Sequence, residues 1–131
     1  MSFWSELVSA LFGTSSMIAI KGRITSYGYP GDSTPDSNSE NAIGAWDNVL
    51  TDGVSLAVSP DIEAAFRETG IAPRASVVLQ LDGGPEITVR WDDRTARAFE
   101  GKALTGRFDL YGRYKPSPFV DRVVTGFRKA V

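Results

Sequence analysis

The sequence predicts one mainly β domain with a single internal helix, and three observations support this fold class. The chain has 131 residues, a usual length for one domain with one core. Short runs with an apolar residue at every second position recur along it, as in half-buried strands. Clusters rich in Gly, Pro, Asp and Ser separate these runs, as turns do. Residues 1–16 are predicted to form a short N-terminal helix, and residues 17–131 the domain itself.

The N-terminal helix is predicted from apolar residues at helical spacing before a stop at Gly13, namely Phe3, Trp4, Leu7, Val8 and Leu11. Such a stripe can pack on the body of the domain, or it can dock on a protein partner or a membrane surface. The polar face carries serine rather than lysine, which favours packing on the domain.

The same segment differs from an export signal, because it has no basic n-region and Glu6 interrupts its apolar stretch. We expect either a chain that is not exported by that route or one from which a leader was removed. The second case predicts a periplasmic, extracellular or virion-associated location. No run reaches the roughly 18 apolar residues of a membrane span, so no span is expected.

Six strands are predicted, over residues 17–27, 54–58, 73–81, 85–91, 107–111 and 120–127. The letters DGG at residues 82–84 predict a hairpin turn between the third and fourth strands. A helix is predicted to begin after Ser59 as its cap, with Pro60 as first helical residue, and to end at Gly70.

Residues 28–41, GYPGDSTPDSNSEN, have the composition of a loop. A loop of this length is either functional or a disordered insertion, and the sequence leaves both open. Tyr27, Tyr29 and Trp46 flank it. Their rings could stack on the apolar face of a sugar, or they could close one end of the domain.

The composition limits the chemistry that the chain can carry. Without cysteine it has no disulfide and no thiolate metal site, and without histidine it lacks the commonest general base and imidazole ligands. From Arg94 to the end, nine basic residues face three acids, which predicts a basic patch. The basic residues are scattered singly, so no nucleic-acid partner is predicted.

Three aspartates are the strongest candidates for a site. Asp92 and Asp93 end a strand, and Asp109 lies in the middle of the next one. Asp93 is in phase with Trp91, which predicts a carboxylate that starts from the inner side of the sheet. The alternatives are a turn-forming Asp pair and an ion-paired Asp109. A Ca²⁺ or Mg²⁺ site is a third reading, but the spacing matches no known loop, so no metal and no cofactor are predicted.

Four segments, in this order and spacing, carry a resemblance to a known family: ITSYGYPG, LAVSP, VRWDDRTA and GRFDLYG. Together they resemble the rare lipoprotein A-like and 3D-type domains, over roughly residues 18 to 128. The resemblance implies a six-stranded double-psi β-barrel. It also implies a peptidoglycan or related polysaccharide partner, and lytic transglycosylase activity in the lytic members. Asp93 matches the acid/base aspartate of those members, and Asp109 matches the aspartate of the following strand.

Lytic cleavage suits a single carboxylate, because the sugar's own hydroxyl replaces the water of ordinary hydrolysis. Asp93 would need a raised pKa to be protonated in time. Like-charge repulsion from Asp92 would raise that pKa, whereas Arg90 and Arg94 would lower it, and the sequence leaves the balance open. Further candidate ligand-binding residues are Tyr27, Tyr29, Trp46, Ser59, Asp92 and Arg94.

Two departures from the family pattern support a second hypothesis. Ser59 stands where relatives carry His or Asp, and Thr95-Ala96 replace glycines that admit a sugar closely. The alternative is therefore a non-catalytic structural or protein-interaction module that retains the barrel and contacts its partner through the N-terminal helix or the long loop.

Overall fold

The computed structural model describes residues 16–32, 50–95 and 104–130. Six strands and one helix occur there: β1 (Ile18–Tyr27), β2 (Ser55–Val58), α1 (Pro60–Glu68), β3 (Ser76–Leu81), β4 (Glu86–Arg94), β5 (Arg107–Tyr111) and β6 (Val123–Lys129). The prediction of six strands and one internal helix is confirmed. The predicted N-terminal helix and residues 33–41 of the long loop lie outside the described residues. In the described part of the chain, no helix is long and apolar enough to cross a membrane.

The six strands form one mixed sheet that closes in a ring, in the order β1, β5, β2, β4, β3, β6 and back to β1. Two pairs are parallel, β1 with β5 and β2 with β4, and the other four are antiparallel. Each described strand therefore has a hydrogen-bonded neighbour on both sides, which leaves no open edge in the ring.

The pairing pattern has an internal symmetry. Exchanging β1 with β4, β2 with β5, and β3 with β6 leaves the set of observed pairs and their directions unchanged. Every pair also joins a strand of the first half of the chain, β1 to β3, to a strand of the second half, β4 to β6. The two halves are thus interleaved around the ring.

The main core lies where α1 packs against the strands. Phe66 of α1 is fully buried, and its ring centroid lies 5.5 Å from that of Trp91, 6.4 Å from Phe108 and 5.1 Å from Phe127. These three rings come from β4, β5 and β6. The helix therefore ties together strands that lie apart in the ring, through edge and tilted aromatic contacts.

The start of α1 differs from the prediction in one respect. Pro60 is the first helical residue as expected, but the Ser59 side chain makes no capping hydrogen bond. Its hydroxyl instead donates to Asp61 Oδ1 at 2.5 Å and accepts the Arg107 backbone N–H at 3.0 Å. Ser59 is therefore a link between α1 and β5, because a strand N–H competes for the oxygen that would cap the helix.

A bulge changes the phase of β4 just before its end. Leu56 is registered with Trp91, but the next residue of β2, Ala57, is registered with Asp93. The extra residue on β4 breaks the alternation that the sequence pattern assumed. Asp93 is consequently placed opposite Ala57 instead of in phase with Trp91.

Candidate functional site

Four neighbouring strands of the ring, β1, β5, β2 and β4, place one residue each side by side. Thr25 of β1 is registered with Asp109 of β5, Asp109 with Ala57 of β2, and Ala57 with Asp93 of β4. Residues that face each other across a ladder project to the same side of the sheet. Ala57 belongs to a small apolar cluster that is separate from the main core. The register therefore brings two of the predicted site residues, Asp93 and Asp109, onto one face.

Asp109 is buried, with 8% of its surface exposed. Burial raises the pKa of its carboxyl to about 7, and the charge of Asp32 adds to the rise, while a hydrogen bond from Thr25 and the charge of Arg107 oppose it. Its Oδ1 has no hydrogen-bond partner among the described residues. A carboxyl of this kind can hold or release a proton near neutral pH.

Tyr27 lies two residues beyond Thr25 on β1, on the same face as Asp109, and is also buried, with 2% exposed. Its ring packs edge-on against that of Tyr111, with the centroids 5.5 Å apart. Burial raises the pKa of Tyr27 well above its usual value, and the negative charges of Asp93, Asp109 and Asp92 raise it further. Its hydroxyl has no hydrogen-bond partner within the described part of the chain. We call Tyr27, Asp93 and Asp109 the carboxylate–tyrosine cluster.

Asp92 is held in an ion pair below the surface. It is fully buried and accepts two hydrogen bonds from the Arg90 guanidinium at 2.7 Å each, and a third from the Ser55 hydroxyl at 2.7 Å. Arg74 Nε lies 3.8 Å from its Oδ1. This arrangement satisfies both carboxylate oxygens, so Asp92 is placed as a structural anchor between β2 and β4.

Asp93 is also fully buried, and one of its carboxylate oxygens and its carbonyl oxygen accept hydrogen bonds from neighbouring residues of β4. Its Oδ1 accepts the Arg94 N–H at 2.7 Å, and its carbonyl oxygen accepts the Trp91 indole N–H at 3.0 Å. Asp93 therefore does not border an open groove.

The remaining predicted ligand-binding residues occupy varied positions. Arg94 donates to Glu63 at 2.8 and 3.1 Å. Burial raises the pKa of the Glu63 carboxyl, but hydrogen bonds from Arg94 and Arg67 outweigh it and leave the pKa lowered. Ser59 is buried and Tyr29 is partly buried. Trp46 lies outside the described residues.

One surface feature was missed by the sequence analysis. A cleft of about 220 Å³ lies between the turn at residues 52–53 and the segment 111–118, and Tyr111 and Tyr114 are among its lining residues. We call it the tyrosine cleft. The sequence over the second part of that segment, YKPSPF at residues 114–119, has proline spacing that favours an ordinary loop, and Tyr111 is predicted to end the fifth strand. The spacing of the two tyrosines, of which Tyr114 is 71% exposed, is the signal that could have indicated a surface site.

The described residues contain no group of three carboxylates placed to hold a metal ion. No family model matches the chain, and neither does any curated protein or solved structure. The fold and the site therefore define the class of this protein. It is a mainly β domain with a closed ring of six strands and a buried carboxylate–tyrosine cluster.

Proposed function

We propose that the ring is a double-psi β-barrel. The two parallel strand pairs and the exchange symmetry of the pairing support this assignment, because two interleaved halves are what two crossed psi-shaped connections produce. The resemblance of the four sequence segments supports it independently.

We further propose that the protein recognises a cell-wall glycan and cleaves it by a lytic transglycosylase reaction, with Asp109 as the acid/base. One observation carries this proposal. Asp109 is buried beside Tyr27, has a pKa of about 7, and has an oxygen without a partner among the described residues. Buried polar groups of this kind cost stability, so their presence together favours a functional role.

The reaction needs one group that gives a proton and then takes one back. Protonated Asp109 would give its proton to the glycosidic oxygen as the bond to the anomeric carbon breaks. The C6 hydroxyl of the same sugar would then attack that carbon, and its proton would return to Asp109. The products are a 1,6-anhydro sugar end and a free hydroxyl on the leaving sugar. A pKa near 7 leaves comparable amounts of both protonation states at neutral pH, as such a role requires.

The geometry favours Asp109 over Asp93 as the acid/base. Asp93 is fully buried, whereas Asp109 keeps 8% of its surface exposed to a substrate. Asp93 would instead act on its neighbours, because its negative charge raises the pKa of Tyr27 and keeps that hydroxyl protonated.

A second candidate function is a non-catalytic structural or protein-interaction module. The specific observation in its favour is that Asp92 and Asp93 are both fully buried, with Asp92 anchored by Arg90. In that case the aspartates fix the end of β4 and the ring serves as a scaffold.

The test is digestion of purified peptidoglycan with the full chain, read by mass spectrometry for 1,6-anhydro ends. Asp109→Asn, Asp93→Asn and the exposed control Asp82→Asn are compared with the parent. We expect anhydro products from the parent and from Asp82→Asn, and none from Asp109→Asn. If anhydro products persist with Asp109→Asn but are absent with Asp93→Asn, the acid/base is Asp93 and not Asp109. No products from any form, and no co-sedimentation with the wall, would overturn the proposal in favour of the non-catalytic module.

A further inference from the structure

The tyrosine cleft adjoins the carboxylate–tyrosine cluster. Tyr111 lines the cleft and packs against Tyr27 of the cluster. Asp109 and Tyr111 are two residues apart on β5, which corresponds to about 7 Å along a strand. A ligand in the cleft would therefore lie about one sugar residue away from the Asp109 carboxyl.

The lining of the cleft is mainly apolar and aromatic. Tyr114 exposes 71% of its surface, and Pro116 and Pro118 complete the wall beside it. The Arg113 guanidinium lies 5.2 Å from the centre of the Tyr114 ring. Arg113 therefore lies over one face of Tyr114, and a sugar would pack its C–H face on the opposite face of this exposed ring.

The charge at the cleft is unbalanced. Arg113 and Lys115 are exposed, and within the described part of the chain neither forms an ion pair with a carboxylate. By contrast, Arg67, Arg90, Arg94 and Arg122 all have such partners. Asp52 also lines the cleft, and its Oδ1 accepts the Arg113 backbone N–H at 2.9 Å. The lining thus carries two cations against one carboxylate, which leaves net positive charge to bind an anion.

We infer that the tyrosine cleft is a subsite for an anionic sugar, a pyranose ring with a carboxylate substituent, whose ring packs on Tyr114 and whose carboxylate is bound by Arg113 and Lys115. This inference rests on the proposed glycan recognition and adds the position and the charge of one sugar. The volume of about 220 Å³ is below the usual range for drug-sized ligands, so one sugar ring is the appropriate occupant.

The experiment is a chemical-shift titration of the isotope-labelled full chain with N-acetylmuramic acid and, separately, with N-acetylglucosamine. The two sugars differ only in the lactyl group that carries the carboxylate. We expect N-acetylmuramic acid to shift the amides of residues 111–117 and to bind more tightly than N-acetylglucosamine. The affinity should fall as salt is added, because exposed ion pairs are screened.

Variants identify the groups responsible. Arg113→Gln and Lys115→Gln should each raise the dissociation constant for N-acetylmuramic acid about threefold, as loss of one exposed ion pair does. Tyr114→Ala should weaken the binding of both sugars, because both pack on that ring. Lys21→Gln is the matched control, because it also removes one positive charge. Lys21 lies on β1 six residues before Tyr27, which corresponds to about 20 Å along the strand. This variant should leave both affinities unchanged.

Three outcomes would overturn the inference. Equal binding of the two sugars at the cleft would retain glycan recognition but exclude an anionic subsite. Shifts confined to residues outside 111–117 would place the sugar elsewhere. An acidic peptide is titrated as a third ligand. If it shifts the cleft amides and neither sugar does, the cleft binds a protein partner instead. Failure of the proposed cleavage is measured separately, by the absence of anhydro ends from peptidoglycan.

Discussion

At the scale of single residues, three aspartates with similar sequence surroundings occupy different environments. The Asp92 carboxylate accepts hydrogen bonds from an arginine and a serine, and the Asp93 carboxylate accepts one from a backbone N–H. Asp109 has Thr25 as a hydrogen-bond donor and the charge of Asp32 nearby. The sequence could identify all three as candidates, because acids near strand ends are visible in it. It could not rank them, since burial and partners depend on which strands become neighbours.

The pKa of Asp109 predicts an unusual pH dependence of stability. Its folded pKa of about 7 lies above the unfolded value of about 3.9. Between these values the folded chain holds a proton that the unfolded chain has lost, so stability is greatest near the lower value and falls as pH rises to 7. Between pH 5 and 8 the loss should be about 2–3 kcal/mol.

Asp109→Asn should remove this loss, because an amide does not ionise. The advantage of the variant over the parent in free energy of unfolding should therefore grow by about 2–3 kcal/mol between pH 5 and pH 8, as measured by urea denaturation. Asp82→Asn serves as control, since that carboxyl is exposed and bound to Arg122. Parallel pH profiles for Asp109→Asn and the parent would show that Asp109 ionises normally.

The buried ion pair of Asp92 predicts a large loss of stability on truncation. Asp92→Ala removes the carboxylate that accepts hydrogen bonds from the partly exposed Arg90 guanidinium and from the buried Ser55 hydroxyl. Because Arg90 keeps some contact with solvent, the cost should lie below that of breaking a fully buried pair, at about 2–3 kcal/mol. The matched control is Asp82→Ala, whose pair with Arg122 has a similar N–O distance of 2.9 Å but is exposed, so its loss of stability should be much smaller than that of Asp92→Ala. Equal losses in the two variants by urea denaturation would contradict the assignment of Asp92 as an anchor.

At the scale of elements, the strands and the helix could be predicted because alternation and helical spacing are local properties. Ile18–Tyr27 and Arg107–Tyr111 closely match their predicted bounds. The bulge on β4 could not be predicted, since it depends on the register between β2 and β4. The role of Ser59 was missed for the same reason: its oxygen accepts an N–H from β5, which is distant in the sequence.

The close approach of β1 and β5 gives an element-scale prediction. A Cβ added at Gly22 would clash with the Phe108 ring and would lie 2.8 Å from the Gly106 carbonyl oxygen. Gly22→Ala should therefore push the parallel pair apart and cost about 1–3 kcal/mol, as overpacking does. Gly126→Ala, on β6, meets its nearest atoms at 3.3 Å and should cost less. Thermal denaturation of both variants measures the difference, and an unchanged midpoint for Gly22→Ala would refute the close packing.

At the scale of the whole molecule, the ring order could not be predicted from the residues alone. Alternation specifies that a strand has a buried face but not which strand lies beside it. The resemblance to double-psi domains was the only sequence-level indication of closure. The parallel pairs join residues far apart in the chain, for example Thr25 with Asp109, and this pairing is what assembles the carboxylate–tyrosine cluster.

The interleaving of the two halves leads to the broadest prediction. Within the described residues, no strand of β1 to β3 pairs with another of these three, and the same holds for β4 to β6. A chain divided at the exposed Gly83–Gly84 turn therefore yields two fragments that contain none of the observed strand pairs. Each fragment alone should lack a cooperative unfolding transition, because an unpaired strand leaves its backbone groups without partners.

Mixing the fragments should restore every described pair, since all six form between the halves. We expect the equimolar mixture of residues 1–83 and 84–131 to regain the far-ultraviolet circular dichroism of the intact chain and to unfold cooperatively. Its midpoint should increase with concentration, because folding is then also association. Phe66→Ala in the first fragment should weaken the complex, since that ring contacts Trp91, Phe108 and Phe127 of the other fragment. A cooperative transition in either fragment alone would contradict the interleaved ring.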